Sequence, residues 1–172
     1  MRFIFSFFIM LYFLSACTVK QKYVVYLSTG IENIKLFPAN KIDSAKISII
    51  NINARRSLEK CEKQENLVCI DDLGTMILNA EFPKGMSHFR SVLFEKFKLP
   101  KNVRKGENRI RLILGINDNL ENIEILKYTD KNTKKAIEEV FKIKELNTWK
   151  SAKMYGIPVK EQFEISIFIE NK

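Results

Sequence analysis

The sequence holds one histidine, His88, and no apolar run long enough to cross a bilayer. Its longest such run, Phe3 to Phe13 broken only by Ser6, falls short of the roughly 20 residues a spanning helix needs. Proline is scarce: Pro38, Pro83, Pro100 and Pro158 stand apart, which excludes a proline-rich spacer. No His-Glu-x-x-His, no Gly-x-Ser-x-Gly elbow and no glycine-rich phosphate loop occurs. The residues therefore offer no catalytic constellation, and neither a cofactor nor a metal is expected. His88, alone near a helix start, reads as a surface or capping residue. Asp71-Asp72 and Glu138-Glu139 are adjacent pairs whose side chains diverge on any regular element, so they read as solvated charge. Cysteine is nearly absent too. Beyond Cys17 there are only Cys61 and Cys69, separated by seven residues. Zinc would need two further ligands, and a redox centre would more often show Cys-x-x-Cys. A structural disulfide is the expected use, closing a loop that contributes roughly 2–3 kcal/mol.

What is present is a globular composition, 46% hydrophobic and 28% charged, with a formal net charge of +9. The basic residues are spread along the chain rather than gathered in a stripe. No aromatic-basic reading motif accompanies them, so nucleic acid is not an expected partner. Arg2, the short apolar run and Leu14-Ser15-Ala16-Cys17 together form a secretory signal with a small-residue cleavage site. The last four residues resemble the lipobox of bacterial lipoproteins. That resemblance implies acylation of the Cys17 thiol and cleavage after Ala16, leaving residues 17–22 as a lipidated tether. An ordinary signal peptide with a chance cysteine is the competing reading. Several acyl chains, each buried methylene contributing about 0.8 kcal/mol, would hold the chain stably to a membrane. Thr18, where an acidic residue would signal retention in the inner membrane, points to the outer membrane, and the absence of an acidic cluster after Cys17 points to its periplasmic side.

About 156 residues follow the signal, enough for one domain with an extension. Residues 23–80 read as a β-rich extension of unassigned architecture. Tyr23 to Leu27, Lys46 to Ile50 and Thr75 to Leu78 carry the β-forming residues, with a turn or short helix between Arg55 and Glu65. Residues 81–172 are clearer. Ser87 is the expected N-cap of a helix to about Lys98, with Phe89, Val92, Leu93 and Phe97 inward and Pro100 as its stop. Ile110, Leu112, Leu114 and Ile116 alternate as a strand, and Asn117-Asp118-Asn119 turns it into Ile123 to Leu126. A helix over Thr133 to Lys142 places Ala136, Ile137, Val140 and Ile143 on one side. After Trp149 and Gly156-Ile157-Pro158 comes a last strand, with Phe163, Ile165, Ile167 and Ile169 opposite Glu164, Ser166 and Phe168. The order helix-strand-strand-helix-strand predicts an α+β fold, an antiparallel sheet with helices on one face.

Over Glu81 to Ile169 this pattern resembles the C-terminal domain of the TonB family. It does so through Phe82-Pro83-Lys84-Gly85, the Asn117-Asp118-Asn119 hairpin, Trp149, and Gly156-Ile157-Pro158-Val159 before the alternating strand. Asn119 stands where the family usually has glycine, and Ser151 where it often has proline. The resemblance implies a module that receives a short peptide of an outer-membrane transporter as an added strand. If the last strand lies at a sheet edge, the expected receiving strand comprises Val159, Gln162, Phe163, Glu164, Ile165, Ser166 and Ile167, with Glu164 on its solvent face. The competing reading is that the first half of the chain or a second copy of the domain covers this edge. The expected protein is thus a non-enzymatic envelope lipoprotein that binds a protein segment by strand addition. Alternatively, it is a structural protein whose basic surface holds peptidoglycan or anionic lipid. A homodimer through the last strand is open on either reading.

Overall fold

The computed structural model describes residues 23–28, 30–71 and 76–171. The signal, Cys17 and the tether lie outside them. The elements in order are β1 (Tyr23–Leu27), β2 (Glu32–Pro38), α1 (Lys41–Glu62), β3 (Ile77–Leu78) and α2 (Gly85–Lys96). There follow β4 (Gly106–Leu114), β5 (Leu120–Lys127), α3 (Lys131–Val140), a 3-10 turn at Lys144–Asn147, β6 (Ala152–Met154) and β7 (Ile157–Asn171). The fold is α+β, with seven antiparallel strands in one sheet.

The 15-residue β7 is the spine of that sheet. Along one side it pairs with β4 and then, past Val159, with the short β6. Along the other it pairs with β1 near Asn171 and with β2 toward Val159. Alternation sets the core face. Ile110, Leu112 and Leu114 lie opposite or beside Ile165, Phe163 and Ile167 across the β4–β7 register, and all six are buried. Phe89 and Leu93 of α2 and Ile137 and Val140 of α3 close over them. Trp149 sits at the centre of an aromatic cluster, 5.1 Å from Phe82, 5.3 Å from Phe89 and 5.7 Å from Phe163 between ring centroids. Its indole N–H donates to the Leu146 carbonyl at 3.0 Å, so the one polar atom is satisfied inside the core.

Three expectations need correction. Lys46 to Ile50 is not a strand but part of α1. Its β-branched residues favour strands locally, yet Ile47, Ile50, Ala54, Leu58 and Cys61 recur at helical spacing. Asn40 caps the helix by accepting from the Asp43 N–H at 2.9 Å. The extension over 23–80 accordingly contains a 22-residue helix, and its strands join the same sheet. Ser87 is not the N-cap of α2 either. The helix starts at Gly85, after Lys84 in a left-handed conformation with φ 64°, and Ser87 lies inside its first turn. The strand Ala152–Met154 escaped notice because Tyr155 and Gly156, with φ of 54° and 77°, make a two-residue hairpin turn that Tyr155 does not advertise.

Candidate functional site

Of the two readings open for the last strand, a free edge or one covered by the first half of the chain, the described residues show the second. Val159 lies between Pro38 and Ala152, Gln162 between Lys35 and Ile113, Glu164 between Glu32 and Arg111, and Ile167 between Leu27 and Asn108. Phe163 and Ile165 are core residues facing Leu112 and Ile110. The Ser166 carbonyl accepts from the Ser28 N–H at 2.9 Å. With a neighbour on each side, β7 has no open hydrogen-bonding row to offer an incoming peptide. Nothing in the strand's own sequence distinguishes these states, because the neighbours that close it come from residues 23–38.

Glu164 is likewise not a solvent-facing residue. It is buried, and its carboxylate accepts from the Asn33 amide at 2.9 Å and from Arg111 at 2.9 Å. Arg111 also bonds Glu124 of β5 at 2.8 Å. Beside it Glu107 accepts from the Ser166 hydroxyl at 2.7 Å, from Lys127 at 2.9 Å and from Arg109 at 3.0 Å. The Ser166 hydroxyl first, then the two cations, hold the Glu107 carboxyl down at about 2. The Asn33 amide and then Arg111 lower Glu164 as well. This outer face of the sheet is a ladder of charges that saturate one another across β5, β4, β7 and β2. It ties strands together and leaves no reactive group.

Among the described residues β1, β2 and β3 each pair on one side only, and so does β5, the longest of these edge strands. After the isolated bridge from Asn119 to Thr148, the described residues place no strand beside Leu120–Lys127 except β4. A groove of about 350 Å³ runs along it, between Leu120, Glu121, Asn122 and Ile123 of β5 and Glu138, Phe141 and Lys142 of the α3 end. Two devices hold this edge in place. Asp130 caps α3, accepting from Asn132, Thr133 and the Thr133 hydroxyl, and also takes the Arg104 N–H at 3.0 Å. Burial pushes its carboxyl up, but these four donors outweigh burial and bring it to about 2. At the hairpin Asp118, with φ 58°, accepts from both the N–H and the hydroxyl of Ser151 at 2.8 and 2.6 Å. A proline at position 151 could not make the first of these bonds. The serine is therefore a working part of the hairpin anchor, a role invisible without the contact.

On the other side of α3 lies a larger cleft, about 610 Å³, floored by Ala136, Val140, Ile143 and Pro100. Lys96, Lys98, Lys101 and Lys135 rim it against the single carboxylate of Glu139, which Lys142 already engages at 2.7 Å. Cys61 and Cys69 are joined in a disulfide, as expected. His88 is half-buried against the Phe82 ring. Glu138 pairs with Lys134. No group of three or more His, Cys, Asp or Glu among the described residues could hold a metal. No described helix is long and apolar enough to cross a membrane. Comparison with protein-family models, with curated proteins and with solved structures finds no match to this chain, so what it can do rests on the β5 edge, its groove and the lysine cleft.

Proposed function

We propose that this chain is a non-enzymatic envelope lipoprotein, anchored through Cys17 on the periplasmic side of the outer membrane. It binds an extended segment of another envelope protein, possible sources including an outer-membrane transporter, by strand addition through a TonB C-terminal-like module. The observation that carries the binding step is the unpaired outer row of β5 with a groove between it and α3. An added strand gains affinity from backbone hydrogen bonds, each contributing roughly 0.5–1.5 kcal/mol net, and specificity from side chains entering the groove. The receiving strand is therefore Leu120–Lys127, not β7. Helix, two strands, helix and long last strand follow one another over residues 85–171, with the short β6 inserted before that last strand, and this order supports the module reading.

A photo-crosslinking residue at the exposed Leu126, expressed in the full-length protein, tests it. The expected result is a discrete protein adduct that a probe at Val24 on β1 does not form. The absence of any adduct at Leu126 would remove strand addition at this edge. The anchor is tested separately: Cys17→Ser is expected to leave the protein unacylated and outside the membrane fraction. A second reading is favoured by the lysine cleft, where four lysines outnumber the one lining carboxylate and so suit an anionic wall polymer or lipid headgroup. Sedimentation with purified sacculi, lost in salt and in Lys98→Glu/Lys135→Glu, would select it instead.

A further inference from the structure

Helix α1 runs for 22 residues, yet Ile47 is its one fully buried side chain. Its inward line passes through Ile47, Asn51, Ala54 and Leu58, facing Ala152, Val159, Tyr155 and the disulfide. On the opposite side Ile42, Ala45, Ile49 and Ile52 are all exposed, the isoleucines by 69%, 57% and 46%. The steps between these four are three, four and three residues. That is the repeat of a coiled-coil seam, and at 100° per residue the four fall within about 80° of arc. The helix thus carries two apolar lines back to back, one packed and one open. Single exposed isoleucines need no explanation, but a line of them over three turns does.

The surroundings of the line decide what fits it. Lys41, Lys46, Arg56 and Lys60 border or extend the seam, against the single acid Glu59, while Lys46 reaches the inner-side Asp43 only at 3.7 Å. A second copy of α1 would bring these cations together, and like charges across an interface are costly. A membrane surface takes a broad apolar face, not a line of four side chains. Position argues the same way. Tyr23 pairs with Asn171 and Pro38 with Val159, so α1 begins about 40 Å along β7 from the start of β1. Here the argument rests on the anchor proposed above: six residues from Cys17, β1 lies near the bilayer and α1 at the far pole.

We infer that the outward seam of α1 docks an amphipathic helix of another protein, one whose apolar line is flanked by Glu or Asp. The site is separate from the β5 groove and shares no residue with it. The full-length protein titrated with a labelled synthetic peptide of about three heptads, Leu at a and d and Glu at e and g, tests the inference. Binding followed by fluorescence anisotropy is expected. It should weaken about tenfold or more in Ile49→Lys/Ile52→Lys and weaken with added salt. Both substitutions fall on the exposed side, and an unchanged urea midpoint verifies the fold of the variant. The same peptide with Lys at e and g should bind at least about tenfold less tightly. Failure of the acidic peptide to bind, equal binding of both peptides, or indifference to the double substitution would each overturn the proposal. So would a dimer that the double substitution dissolves, or seam-dependent binding to phosphatidylglycerol vesicles. A β5 variant that loses its strand partner leaves the peptide titration unchanged, so the two readings fail independently.

Discussion

Four carboxylates show how differently one side-chain type is used here. Asp130 accepts five hydrogen bonds, and Asp130→Ala removes both the α3 cap and the tie to Arg104. A loss of about 1–2 kcal/mol is expected in urea unfolding. Asp130 and Glu107 both sit near 2, below their ordinary values. Their contribution is complete above the unfolded range of about 4–4.5 and is lost as pH falls toward 2, so acid unfolding is expected there. Glu161 behaves oppositely. It is buried, accepts from the Ala80 N–H at 2.7 Å, and burial pushes its carboxyl up. Its contribution is present below the unfolded value and declines as pH rises through the raised one. Glu161→Gln keeps an acceptor for Ala80 and removes the charge, so the variant should melt higher than the parent at neutral pH. The gap should close below about pH 4.5. Glu164→Ala would have been harmless on a solvent-facing strand. In the ladder it strips Asn33 and Arg111 of a partner, and a loss of about 1–3 kcal/mol is expected.

At the scale of elements, α1 and its disulfide are the outlying part of the structure. The helix is attached through Ile47, the Tyr155 hydroxyl bonded to Asn51, and the bridge that returns Cys69 to Cys61. Replacing both cysteines by serine should cost about 2–3 kcal/mol if the loop is closed in the folding unit. Hydrogen exchange is expected to quicken in the last turns of α1 and not in β4, which pairs with β5 and β7 on its two sides. Equal acceleration in β4 would show that the helix end is coupled to the sheet. Native thiol labelling should find Cys61 and Cys69 unreactive. The helix was the element hardest to read from sequence, because isoleucine favours strands while Asn40 and the spacing favour a helix. Asp130, by contrast, is a cap that the sequence itself signals, an aspartate three residues before Thr133 at the start of an amphipathic helix.

At the scale of the whole molecule, β1 and β2 bind residues 23–38 to the C-terminal half. A fragment beginning at residue 81 would lose both, exposing the row of β7 from Val159 to Asn171. Open edges of that length seek partners. The fragment is therefore expected to dimerise or aggregate where the full chain does not, as measured by sedimentation at matched concentration. A monomeric fragment of unchanged stability would mean that the N-terminal strands contribute little.

The sequence by itself determined the alternation of β4 and β7, the amphipathic α3 and the Cys61–Cys69 pair. Each depends on residues near in sequence or on a period the chain carries with it. It also carried the pattern that made β7 a good receiving strand. Only the tertiary structure decided that β7 is enclosed and β5 is open. Edge status is a property of neighbours, and the neighbours of β7 stand some 130 residues earlier in the chain, as Asn33 bonding Glu164 shows. A strand's residues set which way its side chains face, whereas its free hydrogen-bonding row is set by what else folds against it.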